Sequence, residues 1–144
     1  MMQTEKIIRV LIADDFKLLR DVIRLYLERA EDITVVDEAL ELNEALERSK
    51  ALVPDVIIMN DYLPPIDSAR AAAVFREHGI SAVILVISMH PEFDLIQRSI
   101  RNGVDGFMDK DEIDDHLVEA VRRVYQGERY LSPRAAKIYS SIQE

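Results

Sequence analysis

The sequence predicts an α/β fold in which a doubly wound parallel sheet of five strands lies between two layers of helices. Short apolar runs alternate with segments of helical periodicity, and five such pairs occur along the 144 residues. The runs at 55–59 and 81–88 are almost continuously apolar and rich in Val and Ile, which is typical of strands buried on both faces of a parallel sheet. Right-handed crossovers between such strands place helices on both faces.

The predicted strands and the first three helices have recognisable limits. The strands are 7-IIRVLIA-13, 33-ITVVDEA-39, 55-DVIIM-59, 81-SAVILVIS-88 and 106-GFMD-109. The first helix is predicted over 16–30, and its apolar stripe consists of Leu18, Leu19, Val22, Ile23 and Tyr26. The second, over 42–53, stops before Pro54. The third begins at Asp67, a predicted N-cap, and ends at Gly79.

The later helices also carry start and stop signals. The fourth has Pro91 near its first position and Gly103 just past its end. The fifth opens with the acidic residues Asp111, Glu112, Asp114 and Asp115. It closes with Arg122, Arg123 and Gly127, an order of charges that matches the helix dipole. Beyond it, Ser132 and Pro133 mark the start of a last helix. Its predicted stripe is Ala136, Tyr139 and Ile142.

Composition excludes several classes of protein. The chain has no cysteine, which rules out disulfides and thiolate metal sites. Its formal charge of −9, without a run of Lys or Arg, makes this chain alone a poor binder of nucleic acid. No segment approaches the roughly 18 apolar residues of a membrane span, and no cleavable signal opens the chain. We therefore expect one soluble, cytoplasmic domain.

Polar residues follow the predicted strands at the edge where ligands bind in open α/β sheets. The strand tips carry Asp14-Asp15, Asn60-Asp61, Ser88 and Asp109-Lys110. Two adjacent carboxylates repel each other unless a cation neutralises them, and hard oxygen ligands suit Mg²⁺. Each residue also has a plainer interpretation: the acidic pair and Ser88 as helix caps, Lys110 as a surface lysine. The convergence of all four tips favours a site.

These residues, in this order, resemble a response-regulator receiver domain of two-component signalling, over about residues 7–127. The resemblance implies a flavodoxin-like sandwich with strand order 2-1-3-4-5. It also implies that Asp14, Asp15 and the backbone carbonyl of Tyr62 hold Mg²⁺. Ser88 matches the hydroxyl residue that closes on the phosphoryl group, Lys110 the lysine that pairs with it, and Phe107 the aromatic switch. The resemblance implies no enzymatic activity beyond self-phosphorylation from a phosphodonor.

Two segments are similar to LuxR-type transcription regulators: 103-GVDGFMDKDE-112 and 127-GERYLSPRAAK-137. The resemblance implies a receiver over 1–127 and a linker helix over 128–144. Only 17 residues follow Gly127, so we expect the helix-turn-helix output domain to be absent from this chain. The chain is then a trimmed or a stand-alone receiver. The implied partners are a histidine kinase, a second copy of the chain, and DNA through the output domain.

One residue departs from the family pattern. The phosphoacceptor aspartate lies four residues before the loop proline, and counting back from Pro64 reaches Asn60. An amide cannot form a stable aspartyl phosphate, so Asn60 predicts a phosphorylation-independent or inactivated receiver with weakened Mg²⁺ binding. Asp61 is the alternative acceptor. Because side chains alternate along a strand, we expect the Asp61 carboxylate to face away from Lys110 and Ser88.

Other α/β classes stay open at this stage. A magnesium-dependent phosphotransferase or phosphatase also uses acids at strand tips, although those with a first-strand nucleophile usually need Asp-x-Asp where this chain has Asp14, Asp15 and Phe16. A flavin-binding domain needs a phosphate-cradling loop after the first strand, and the acids here repel phosphate. The four glycines, at 79, 103, 106 and 127, form no such loop.

Overall fold

The structure is a computed structural model that describes residues 6–141. Its strands are β1 (Ile8–Ala13), β2 (Ile33–Ala39), β3 (Val56–Asn60), β4 (Tyr62–Leu63), β5 (Ile66–Asp67), β6 (Val83–Ser88), β7 (Gly106–Asp109) and β8 (Tyr130–Leu131). Its helices are α1 (Lys17–Glu28), α2 (Leu42–Leu52), α3 (Ser68–Glu77), α4 (Phe93–Arg101), α5 (Ile113–Tyr125) and α6 (Pro133–Ser141). A 3₁₀ turn, Lys110–Glu112, connects β7 to α5.

The main sheet has six parallel strands in the order β2-β1-β3-β6-β7-β8. The prediction of five strands was therefore wrong. The additional strand, β8, lies at the edge beside β7, with Gly106 opposite Tyr130 and Phe107 opposite Leu131. A two-residue segment has too little periodicity to be recognised as a strand from its sequence. A separate two-stranded antiparallel hairpin, β4-β5, follows β3 in the chain.

Two apolar cores lie on opposite faces of this sheet. On one face, α1 and α5 pack against β-strand residues such as Val10, Ile58 and Ile87. On the other face, the helices are α2, α3, α4 and α6, and the strand residues include Met59 and Phe107. Successive side chains on each strand go to alternate cores, as the pleat requires. The predicted three-layer arrangement is thus present.

Most helix limits agree with their sequence signals. The Asp67 carboxylate caps α3 by accepting from Arg70 N at 3.0 Å, and the same side chain pairs with Arg98 at 3.0 Å. Glycine 79 has a φ of +74° just after α3, a conformation that most side chains disfavour.

The stripes of two helices differ from the predictions. In α1, Leu19, Ile23 and Leu27 are buried, whereas Leu18 is 63% exposed. In α6 the buried position is Ala135 rather than Ala136, and Ile138 and Tyr139 pack against the core. Ile142, the last member of the predicted stripe, lies outside the described residues. The boundary after residue 127 stays a prediction, and Gly127 is followed directly by β8 and α6.

Within residues 6–141, no helix combines the length and apolar character that a membrane crossing requires.

Candidate functional site

The register of the sheet aligns the tips of the central strands. Ala13 pairs with Met59 across β1 and β3, Asn60 with Ile87 across β3 and β6, and Ser88 with Asp109 across β6 and β7. The polar residues that end or follow these strands therefore lie at one edge of the sheet, as the sequence predicts. Arg20 links this edge to α1, because its Nη1 donates to the backbone carbonyl of Asp14 at 2.8 Å.

Strand alternation divides these residues between the two faces. Asn60 follows Val56 and Ile58, whose side chains enter the core beneath α1 and α5. Ser88 follows Ile84 and Val86, which enter the opposite core. The pairing of Asn60 with Ile87 then places Asp61 level with Ser88, one position further along both strands.

The Asp61 carboxylate contacts Ser88 directly. The Ser88 hydroxyl, which is fully buried, donates to Asp61 Oδ2 at 2.7 Å. Asn60 Oδ1 accepts from the backbone N–H of Asp61 at 2.9 Å. The expectation that Asp61 faces away from Ser88 was therefore wrong, because the register makes these two residues neighbours on the same face. Ser88 Oγ also accepts from the backbone N–H of His90 at 3.2 Å, in the turn before α4, whose N-cap is Glu92, so Ser88 is not the cap of that helix.

Asp14 is the buried acid of the site. Its side chain is 1% exposed, and its Oδ1 accepts from Phe16 N at 2.9 Å. Its Oδ2 is buried and has no hydrogen-bond partner among the described residues. Burial raises the pKa of Asp14 to about 6, and repulsion from Asp15 and Asp61 adds to that effect. Asp15 itself is exposed.

The acids at this edge fit a magnesium ion in their chemistry. The unpartnered Oδ2 of Asp14, repelled by two neighbouring carboxylates, is an oxygen that a divalent cation would satisfy. Among residues 6–141, however, no three acidic or histidine side chains form a preassembled metal cluster. An ion here would have few protein ligands and would keep several waters, as Mg²⁺ commonly does.

Lys110 does not pair with the acids of the other strand tips. Its Nζ lies 3.5 Å from Asp111 Oδ1, and its side chain is 35% exposed. In the described part of the chain, no ion pair joins it to Asp14, Asp15 or Asp61. Lys110 instead lines an open cavity of about 320 Å³ between α1 and α5, where its neighbours include Phe16 and Met89.

Phe107 and Tyr62 complete the predicted set. Phe107 is fully buried in the core shared by α3, α4 and α6, so its ring is in an inward position. Tyr62 is half-exposed at the start of the β4-β5 hairpin, opposite Asp67.

Sequence reasoning missed a second group of polar contacts beside Lys110. Asp109 is 2% exposed, and its Oδ2 accepts from Arg134 Nη1 at 3.2 Å. Its backbone N–H donates to the buried hydroxyl of Ser132 at 3.2 Å. Arg134 and Ser132 belong to the segment that the sequence assigns to a linker, and no local pattern links them to the tip of β7.

Comparison with known proteins identifies the family to which this fold belongs. The family described as response regulator receiver domain matches residues 10–122. The chain belongs to that family. More particularly, it is the receiver domain of a response regulator of the LuxR/NarL family. The homologues are response regulators, which are not classical enzymes.

Two curated relatives indicate this family. The oxygen regulatory protein NreC of Staphylococcus carnosus is 32% identical over 127 residues, which are 88% of this chain and 58% of NreC. The transcriptional regulatory protein NarL of Mycobacterium tuberculosis is 33% identical over 131 residues, which are 91% of this chain and 60% of NarL. The chain thus spans about three fifths of the length of these relatives.

Solved structures support the same assignment. A LuxR-family two-component response regulator from Aurantimonas sp. SI85-9A1 superposes with a TM-score of 0.90 at 26% identity, covering 96% of this chain and 99% of that one. The signal receiver domain of NarL from Mycobacterium tuberculosis superposes with a TM-score of 0.81 at 32% identity, covering 85% of this chain and 99% of that one.

Proposed function

We propose that this receiver signals without being phosphorylated, because Asn60 occupies the acceptor position and the Asp61 carboxylate engages the switch hydroxyl of Ser88. The hydrogen bond of 2.7 Å between Ser88 Oγ and Asp61 Oδ2 carries the proposal. In a phosphorylated receiver the phosphoryl oxygens are the anionic partner of this hydroxyl. Here a neighbouring side chain supplies an anionic oxygen instead.

The position of Asn60 supports its assignment as the acceptor residue. It is the last residue of β3, and extending the register of β1 and β3 beyond Ala13 and Met59 places Asn60 beside Asp14 on the same face. Lys110 follows Met108 with the same alternation on β7, and Met108 enters the same core. An amide in this place keeps the shape of an aspartate but provides no nucleophilic oxygen anion.

The other site residues have roles that follow from their contacts. Asp14, Asp15 and the Tyr62 carbonyl would hold Mg²⁺, which would supply charge compensation for the buried Asp14 carboxylate. Because Asn60 contributes no charge, this ion is bound more weakly than in an ordinary receiver. Lys110 has no acceptor carboxylate to pair with, which accounts for its contact with Asp111 at 3.5 Å.

Signal transmission is a shift between two packings of the domain. Ser88 precedes the loop to α4, and Phe107 lies inward behind it on β7. The Asp61–Ser88 bond and the buried Phe107 ring describe one of the two packings. Because no phosphoryl group changes that balance, a partner protein, dimerisation or a ligand has to do so.

The wider role is proposed from the relatives, which are named as an oxygen regulatory protein and a transcriptional regulatory protein. We propose that the full protein is cytoplasmic and regulates transcription through a helix-turn-helix output domain that binds DNA. A histidine kinase and a second copy of the chain are its proposed protein partners.

A second candidate function rests on the same bond. Asp61 lies in the site beside Ser88 and close enough to Asp14 to raise its pKa, so Asp61 is the alternative phosphoacceptor. Its position on the face opposite to Lys110 disfavours this, because phosphoryl transfer needs a cation at the developing charge.

Mass spectrometry separates the two candidates. We expect no phosphoryl adduct when the chain is incubated with a small phosphodonor and Mg²⁺ and its intact mass is measured, because Asn60 offers no nucleophile. The variant Asp61→Asn is the matched control and should behave like the parent chain. An adduct that maps to Asp61 and disappears in Asp61→Asn would establish the second candidate and overturn the first.

A further inference from the structure

The segment after α5 is joined to β7, the strand that precedes Lys110, and to α4 by several contacts. β8 pairs with β7, and Ser132 N donates to the Phe107 carbonyl at 3.1 Å. Ala135 is fully buried against the core. Tyr139 stacks on Phe93, the first residue of α4, with ring centroids 5.3 Å apart. The segment that makes these contacts, β8 and α6, lies beyond residues 10–122, which the family match covers.

The contacts converge on Asp109, the residue before Lys110. Its backbone N–H donates to Ser132 Oγ at 3.2 Å, and the same hydroxyl caps α6 by accepting from Ala135 N at 3.3 Å. One Asp109 carboxylate oxygen accepts from Asp111 N at 2.8 Å and so forms the turn that contains Lys110. The other accepts from Arg134 at 3.2 Å.

Arg134 satisfies a charge that the rest of the fold leaves buried. Asp109 is 2% exposed, and among the described residues Arg134 provides its ion pair. A buried carboxylate that loses its paired cation is left uncompensated and reorients toward water. That reorientation weakens the turn at Lys110. The backbone of Arg134 is also tied to this turn, because its N–H donates to the Glu112 carboxylate at 3.1 Å.

We propose that Arg134 and Ser132 are positioning residues for Lys110, so that the C-terminal segment belongs to the switch machinery. They act through Asp109, whose carboxylate shapes the turn and whose N–H ends β7. The coupling is reciprocal. A partner that displaces the C-terminal segment moves Lys110, and a change in the position of Lys110 alters how stably the segment packs on the domain. The functional assay of this inference rests on the proposed function, because it uses Asn60→Asp as a phosphorylatable background.

The assay compares phosphorylation rates in that background. Arg134→Ala is expected to slow phosphorylation by about 10- to 100-fold, the scale of a misplaced reacting group, at a temperature where unfolding curves show every variant folded. The matched control is Lys137→Ala, which removes an exposed cation from the same helix. Arg134→Lys keeps one donor and should give an intermediate rate. A rate for Arg134→Ala within twofold of the control would overturn the proposal.

A second measurement does not depend on phosphorylation. In the parent chain, the backbone amide signals of Lys110 and Asp111 are expected to shift in Arg134→Ala and to stay unchanged in Lys137→Ala. In the Asp109→Asn background, which has no buried charge, the effect of Arg134→Ala should largely disappear. If Asn60→Asp with Arg134 intact takes up no phosphoryl group, the proposed function fails. The amide signals of Lys110 and Asp111 then decide alone whether Arg134 positions Lys110. Equal spectra at Lys110 in both variants would contradict the positioning role.

Discussion

Replacing Asn60 with aspartate is expected to give a chain that takes up a phosphoryl group from a small phosphodonor, which the parent chain does not do. The substitution restores a carboxylate at the tip of β3, level with Asp14 and on the face that also carries Lys110. A carboxylate oxygen can attack phosphorus, whereas the amide cannot form a stable adduct. We expect the rate to rise at least about a hundredfold, since removing a nucleophile commonly costs far more than that. Intact-mass analysis over time measures it.

Two controls define the acceptor in that experiment. Asn60→Ala removes the side chain without adding a carboxylate and should remain unphosphorylated. Adding Asp61→Asn to Asn60→Asp should leave phosphorylation in place, because Asp61 lies on the other face beside Ser88. An adduct that maps to Asp61 in Asn60→Asp would instead identify Asp61 as the acceptor.

Replacing Asp14 with asparagine is expected to stabilise the fold at neutral pH in the absence of divalent cations. Folding raises the pKa of this carboxyl from 3.8 to about 6. The folded chain therefore holds a proton that the unfolded chain releases, and wild-type stability falls as pH rises between about 4 and 6. At about 1.4 kcal/mol per pKa unit, the variant gains up to about 3 kcal/mol at pH 7 and little below pH 4.

Urea unfolding at pH 4 and pH 7 measures this difference. Asp15→Asn is the matched control, because Asp15 is exposed, and its effect should stay within about 0.5 kcal/mol. Adding Mg²⁺ should stabilise the parent chain at pH 7, since ligand binding favours the folded state. The difference in unfolding free energy between the parent chain and Asp14→Asn should then become smaller. An Asp14→Asn variant that is less stable than the parent at pH 7 without metal would contradict a buried, uncompensated carboxylate.

The layers of the fold follow from patterns that span many residues. Continuous Val and Ile runs predicted β3 and β6, and the charge order at both ends of α5 predicted that helix. The sixth strand was missed because Tyr130–Leu131 owes its pairing to the edge of β7 rather than to its own periodicity. Leu18 was wrongly assigned to the buried stripe of α1 for a similar reason, because helical spacing alone does not say where a buried stripe ends.

The position of the candidate residues at one edge of the sheet was predictable, but their contacts were not. Strand tips place Asp14, Asn60 and Ser88 at one edge whatever the details of pairing. Whether Asp61 meets Ser88 depends on the register between β3 and β6, which a single sequence does not specify. The contact between Arg134 and Asp109 joins residues 25 positions apart, and it depends on where α6 packs against the rest of the domain.

The most direct test of this account is a double-mutant cycle between Asp61 and Ser88. The unfolding free energies of the parent chain, Ser88→Ala, Asp61→Ala and the double variant are measured at pH 7. A hydrogen bond from a buried hydroxyl to a carboxylate predicts a coupling energy of about 1 to 2 kcal/mol. Additive effects, with a coupling below about 0.5 kcal/mol, would contradict a switch hydroxyl held by Asp61 and with it a receiver that works without phosphate.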